Sequence, residues 1–381
     1  SPAVLAAQTR PDSAFVALPA VSVTAMRSGL STRAQPVTVP VFDRAGLRDA
    51  GLTLVADVVR LVPGATVLNT GSFGSQTALF LRGGESDYVQ VLVDGVPLNS
   101  PGGAFDFGQL TLNNIERVEV VRGPASVLYG SDAVSGVIQI FTRTGARAAK
   151  LNGLIGGGTY GTRNYELGVA GGDTRFGGSL SAARHTTNGI LPFNSGFHND
   201  VLSGAAHARG RRADATASLR VTDHTFHYPT NSAGALTDSN AYTRENRVIA
   251  SGELGWKPAS AFELRARMVN HRARPKTRDL PDFAGDPDSY TSDATVTRSI
   301  VEARAIATLR GSHVLTLSVE RARDHEEGRS RSESSFGPFD GGLTATRTNR
   351  GLAAQLLGNI GAKTTYTIGV RHDRNSEFGV F

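Results

Sequence analysis

The chain has 381 residues, with 40 Lys+Arg against 34 Asp+Glu for a formal net charge of +6, and it contains no cysteine. A disulfide framework and a thiolate metal site are therefore excluded. The basic excess is interspersed, without an aromatic stacking platform or a nucleic-acid-binding motif, so nucleic acid is not an expected partner. No apolar run approaches the roughly eighteen residues that a membrane helix needs, although strands that cross a membrane leave only a weak, alternating trace.

Residues 1–35 are rich in Ala, Ser, Thr and Pro, a composition that favours a flexible leader. Within it, Val21-Ser22-Val23-Thr24-Ala25 is a β-branched run suited to adding as an extended strand to a partner sheet. Further on, Thr53 is placed to cap a helix in which Leu54, Val55, Val58, Val59 and Val62 share a face, ended by Pro63-Gly64. A polar, glycine-rich loop follows, Asn69-Thr70-Gly71-Ser72-Phe73-Gly74-Ser75. Residues 81–143 then hold three short runs of Val, Ile, Leu and Phe separated by Gly, Pro, Asn and Asp, which predicts a small mixed sheet. Asp94-Gly95 between two of the runs is a hairpin turn signal.

Beyond Arg143 the pattern changes to long period-two alternation. Phe262, Leu264, Ala266 and Met268 alternate with Glu263, Arg265 and Arg267; Leu315, Leu317 and Val319 alternate with Thr316, Ser318 and Glu320. One face is small and apolar and the other carries fixed charges, which suits a barrel with lipid outside and a polar lumen. The glycines at 156–158 mark the first such strand, and about eleven strand candidates follow residue 150. Tight connections alternate with stretches expected to be long polar loops, at 186–200, 225–246, 271–297 and 324–344.

Four motifs in order, "LRG" at 81–83, "VLVDGVPLN" at 91–99, "IERVEVVRGP" at 115–124 and "LYGSDAVSGVI" at 128–138, closely resemble the plug domain of TonB-dependent outer-membrane receptors. The helix "DVVRLVPGA" at 57–65 is similar to a helix of the same family. The resemblance implies a mostly β protein, with a small α+β plug inside a transmembrane antiparallel β-barrel. Barrels of this kind close with twenty-two strands, of which the chain is expected to cover about half. The implied division is a flexible segment at 1–35, the plug at 36–145 and the N-terminal part of the barrel at 146–381.

The same resemblance implies an active-transport receptor in the outer membrane of a Gram-negative bacterium. Val21, Ser22, Val23, Thr24 and Ala25 would be the TonB box. Asn69, Thr70, Gly71, Ser72, Asn99 and Ser100 would lie in the plug loops that touch the ligand. Arg82, Glu116 and Arg122 would be the plug's gating charges, with Arg82 and Arg122 held by lumen-facing carboxylates, for which Glu166, Glu253, Glu263 and Glu302 are the candidates. Expected partners are TonB, outer-membrane lipid and lipopolysaccharide, and a periplasmic binding protein.

"GSDAVSGVIQI" at 130–140 and "GVRHDRNSEFG" at 369–379 most resemble the cobalamin receptors, which favours a cobalamin-like corrinoid. A ferric siderophore is the alternative, followed by a passive or phage- and colicin-docking barrel. Calcium is a weak expectation, because residues 188–200 hold one carboxylate, Asp200, beside Asn188, Asn194 and Asn199, whereas calcium takes six to eight oxygens. A second stretch, with Asp279, Asp282, Asp286, Asp288 and Asp293, is acid-rich but reads as a solvated loop. No catalytic or metal-ligating constellation is found: the histidines are scattered, and Ser126 and Ser131 lack a nucleophile elbow. The chain is not expected to be an enzyme, and no cofactor is expected.

Overall fold

A computed structural model describes residues 39–123, 125–145, 148–231, 234–309, 313–361, 364–377 and 379–380. The first part builds a compact unit from seven strands and three short helices. Strand β1 (Val41–Asp43) leads into α1 (Arg44–Asp49), and α2 (Val55–Arg60) precedes β2 (Ala65–Asn69) and β3 (Thr77–Leu81). Next come β4 (Val89–Val93), β5 (Val96–Pro97), β6 (Ile115–Arg122), α3 (Ser126–Tyr129) and β7 (Gly136–Thr142). Five of these strands form one sheet in the order β1-β6-β7-β4-β5, and β2 pairs β3 separately.

Local chemistry accounts for these elements. β4 reads VQVLV, is buried along its whole length and runs parallel to β7, as expected of a strand covered on both faces. Asp94, at a φ of 48°, and Gly95, at 79°, close the β4–β5 turn. The Asp94 carboxylate accepts from Thr142 N (2.9 Å) and Thr142 Oγ1 (2.8 Å), tying the turn to β7. Burial pushes this carboxyl above the ordinary range, against the lowering effect of Thr142 and Arg220. Helix α2 buries Val55, Ala56, Val58 and Val59 as expected. Its N-cap is Leu54 and not Thr53; Asp57 supplies the terminal acceptor by taking the Leu54 N–H at 3.4 Å.

The remainder is a single antiparallel sheet. Its strands are β8 (Lys150–Gly157), β9 (Arg163–Gly172), β10 (Phe176–Thr187), β11 (Phe197–Arg209), β12 (Ala213–His227) and β13 (Tyr242–Ala259). They continue with β14 (Phe262–Asp279), β15 (Ser289–Thr308), β16 (Val314–Glu333), β17 (Phe339–Ile360), β18 (Thr364–Asn375) and β19 (Gly379–Val380). Each pairs only with its chain neighbours, so the sheet is an up-and-down wall. Connections at 173–175, 210–212 and 260–261 are short; those at 188–196, 228–241 and 280–288, which alternate with them, are longer.

The long polar loops expected at 271–297 and 324–344 are mostly strand. β14 runs to Asp279, β15 starts at Ser289, and only residues 334–338 separate β16 from β17. The alternation fades there because both faces are polar, while the ladder hydrogen bonds continue.

The first unit lies against the inner face of this wall. Ile249, Val269 and Ile300, from β13, β14 and β15, belong to the same buried cluster as Val55, Val91, Val118 and Ile138. The two parts thus share a core, and on the wall's other face Leu254, Met268, Val301, Leu317 and Leu352 stand exposed.

Candidate functional site

Between the inner unit and the long-connection ends of β12, β13 and β14 lies a cavity of about 690 Å³. Its floor comes from the loop after β2 (Thr70, Gly71, Ser72) and from Ser100, Phe105 and Asp106; its wall comes from His224, Phe226, Tyr228 and Arg247. The Arg247 guanidinium lies over the Phe105 ring at 5.1 Å and pairs with Glu245 at 2.6 Å. Aromatic faces beside an oriented cation suit a planar or anionic ligand.

Of the residues expected at a ligand, Thr70, Gly71, Ser72 and Ser100 line this cavity. Asn69 and Asn99 do not, and their amides are committed to the unit's own frame. Asn69 Oδ1 accepts from Gly71 N (2.9 Å) and Ser75 Oγ (2.8 Å). Asn99, 1% exposed, accepts from Val91 N (2.8 Å) and donates to Val89 O (2.9 Å). An amide beside a strand edge competes for local partners: Asn99 turned inward to β4, and Asn69, exposed at the end of β2, is spent on its own loop. Val21–Ala25 lie outside the described residues.

Asp106 fixes the cavity floor by accepting from Thr77 N (2.8 Å) and Gly108 N (2.9 Å). Burial pushes its carboxyl above the usual range, outweighing the two amides and Arg247. A folded-state pKa raised above the unfolded one means that the native state binds the proton better, so this group favours folding as pH falls and opposes it as pH rises. Asp106→Asn keeps the acceptor oxygen without the charge. Its melting temperature is expected to match or exceed that of the wild type at pH 8, with the difference shrinking as pH falls toward 5. Asp106→Ala, which removes both bonds, should cost about 1–3 kcal/mol at either pH.

The second feature is the contact between inner unit and wall. Arg220 on β12, 3% exposed, donates to Asn113 O (3.0 Å), Thr111 O (3.2 Å) and Thr111 Oγ1 (3.1 Å). Arg267 on β14 donates to Gly95 O (2.9 Å) and pairs with Glu302 at 2.7 Å. Arg298 on β15 donates to Asn99 O (3.2 Å) and pairs with Asp324 at 2.6 Å. Asn199 on β11 donates to Gln109 O (2.8 Å), and the Asn114 amide donates to Ser203 Oγ (3.2 Å).

This reverses the expected direction of the ionic contacts. Arg82 and Glu116 are exposed, and Arg122 donates to Pro63 O (3.3 Å) within its own unit. Among the described residues Arg82 and Arg122 form no ion pair with a wall carboxylate, and Glu116 forms none with a wall base. The carboxylates expected to receive them do face inward but are taken by the wall's own bases: Glu253 by Arg265 and Arg304, Glu263 by Arg265 and Lys257, and Glu302 by Arg267 and Arg304. Glu166 stands 3.6 Å from His185. The wall arginines that grip main-chain carbonyls are Arg220, Arg267 and Arg298, and of these the alternation in the sequence marks Arg267 as lumen-facing.

Three carboxylates of the acid-rich stretch are held by neighbouring groups. Asp282 accepts from Ser239 N (2.8 Å) and Asn240 Nδ2 (3.1 Å), Asp286 from Asp282 N (2.9 Å), and Asp293 pairs with Arg278 and Lys276. Asn194, at a φ of 40°, donates to Tyr228 O (3.1 Å) and Ala241 O (3.0 Å), stitching two wall connections together. Among the described residues no group of three or more His, Cys, Asp or Glu side chains is arranged to hold a metal ion.

An α+β plug seated against a receptor-type β-barrel wall is the class that this fold defines. Residues 31–137 match the family model "TonB-dependent Receptor Plug Domain", so the chain carries such a plug. Among solved structures, the ferric yersiniabactin uptake receptor of Yersinia pestis matches with a TM-score of 0.76 and 17% identity, over 90% of this chain and 57% of that one. The ferripyoverdine receptor of the outer membrane of Pseudomonas aeruginosa gives 0.72 and 15%, over 93% and 54%. The ferric-catecholate import receptor of E. coli K12 gives 0.73 and 13%, over 93% and 62%. The chain spans little more than half the length of these receptors, and at such identities the likeness establishes the fold.

Proposed function

We propose that this chain is the plug and the first part of the barrel of an outer-membrane receptor that imports a ferric siderophore, energised by TonB acting on the segment around Val21–Ala25. The observation that carries the reading is a plug whose cavity, bounded by Thr70, Ser72, Phe105, Phe226, Tyr228 and Arg247, opens at the long-connection end of the wall. Three solved receptors of the same fold are named for ferric yersiniabactin, ferripyoverdine and ferric-catecholate, and two of Acinetobacter baumannii are named siderophore receptors. These neighbours support the siderophore alternative over the corrinoid that the 130–140 and 369–379 motifs had favoured. The cavity adds chemical support: Arg244, Arg247 and Lys276 line it against Asp106 and Glu245, a basic excess beside aromatic rings that suits an anionic ferric chelate.

The exposed apolar stripe on the outer face of the wall suits lipid, with the long connections facing outward. The test is uptake of a radiolabelled ferric siderophore by cells producing the receptor, with and without a proton-motive force. Val23→Pro, which removes a donor from the strand-adding segment, is expected to abolish uptake and leave surface binding within about twofold. Uptake that ignores the proton-motive force would defeat the reading, and equal loss of binding and uptake would make the segment structural.

A further inference from the structure

The outer face of the wall changes from apolar to charged along a sharp line, and the line differs from one sector to the next. On β10–β13 it is self-neutralised: Arg184 pairs with Asp200 at 2.7 Å, and Arg244 with Asp223 at 2.6 Å. On β16–β18 the row at the apolar border is basic, and carboxylates of that face, Glu327, Glu333 and Asp340, come only farther out, beside Arg329 and Arg331. Arg321, Arg350 and Arg374 are directly opposite one another across the three strands and all are exposed. Arg323 follows one step farther along the same face of β16.

Three like charges in a cross-strand row oppose sheet formation, and nothing in the described residues offsets them. None of Arg321, Arg323, Arg350 and Arg374 has an ion pair or a side-chain hydrogen bond there. The nearest carboxylates along the chain point to the other face: Glu320 and Asp373 bind Arg371, and Asp324 binds Arg298 and Arg347. The row also sits where the apolar stripe of Leu317, Val319, Leu352, Ile368 and Val370 ends. Adjacent strands are spaced by about 4.8 Å, so the three guanidinium groups originate within roughly 10 Å of one another.

We infer that the arginine row of β16–β18 is a binding site for the phosphorylated headgroup of an outer-leaflet lipid, whose acyl chains lie on the apolar stripe below. Guanidinium forks suit phosphate oxygens, and a dense set of phosphates at the membrane border supplies the countercharge that the protein lacks. The inference rests on the reading that the wall spans the outer membrane with its long connections outward, but it does not depend on what is transported or on TonB.

The experiment is native mass spectrometry and thermal melting of the purified, full-length receptor in a non-ionic detergent, with added bisphosphorylated lipid A or its dephosphorylated form. The wild type should retain the bisphosphorylated lipid and melt higher with it, and should do neither with the dephosphorylated one. The triple variant Arg321→Gln, Arg350→Gln, Arg374→Gln should lose retention at least tenfold, whereas Arg→Lys at the same three positions should keep most of it. Arg350→Glu provides an opposite-signed check. A carboxylate between two arginines should raise the melting temperature without lipid and abolish the lipid-dependent increment.

Equal retention of the two lipids, or of the bisphosphorylated lipid by wild type and glutamine variant, would overturn the inference. So would an Arg350→Glu protein that melts lower and still binds. None of these outcomes bears on proton-motive-force dependence, so failure of the lipid site and failure of the transport reading are separately visible.

Discussion

Arg220→Ala should release the plug from the wall and raise the passage of a large hydrophilic antibiotic into cells producing the receptor. The guanidinium is 3% exposed and supplies three hydrogen bonds to the plug at Thr111 and Asn113, with the buried Asp94 beside it. Its removal strands two main-chain carbonyls and deprives the Asp94 and Glu166 charges of a neighbour. Leaving buried acceptors without their donor costs about 1–3 kcal/mol each. Arg220→Lys keeps the charge but cannot fork onto both carbonyls, so it should fall between wild type and alanine. Antibiotic sensitivity and the melting temperature of the purified protein read the effect; unchanged values for both would mean that the grip lies elsewhere.

Gly74→Val is expected to have a comparable effect at the cavity. Gly74 has a φ of 88°, and a Cβ there would meet the Phe197 ring at 2.0 Å. Strain at a positive φ costs a β-branched residue about 1–3 kcal/mol, and overpacking adds about 1–3 kcal/mol. The loop carrying Thr70, Gly71 and Ser72 should be pushed off β11, losing the edge contact of Phe73 with Phe197 (5.4 Å) and with it most of the ligand affinity. Phe197→Ala in the same chain should restore the steric part and not the backbone part. The two substitutions are thus expected to be non-additive in ligand binding, and strict additivity would place the clash elsewhere.

The sheet and its orientation were legible in the sequence because a wall with one apolar face writes a period of two. Val301, Ala303 and Ala305 do face outward, and Glu302 and Arg304 are buried inside. The plug was legible through turn chemistry at Asp94-Gly95 and the apolar stripe of α2. Strand length was not, because beyond the apolar stripe residues such as Arg329, Ser330 and Arg331 are polar on both faces and only the ladder reveals them. The plug's grip was misassigned for a related reason. Sequence shows which arginines are on the lumen register but not that a carbonyl such as Gly95 O or Asn99 O waits opposite, since every residue carries one. Asn69 and Asn99 were misplaced because a loop amide reads the same whether it faces a ligand or its own backbone.

The order of strands in the plug sheet also has a mechanical side. β1, the first described strand, is at the sheet's edge and is held to β6 by three residue pairs, Val41 to Glu119 through Asp43 to Arg117. A load entering from the residues before it meets this short seam before it meets the eight-residue β6 or the shared core. Rupture would therefore begin by stripping one short strand, baring the flank of β6 while Arg220, Arg267 and Arg298 still moor the opposite parts of the plug. Under the proposed coupling, such a plug would yield in steps from its leading edge, as a ratcheted latch does, and its weakest seam would set the threshold tension for opening.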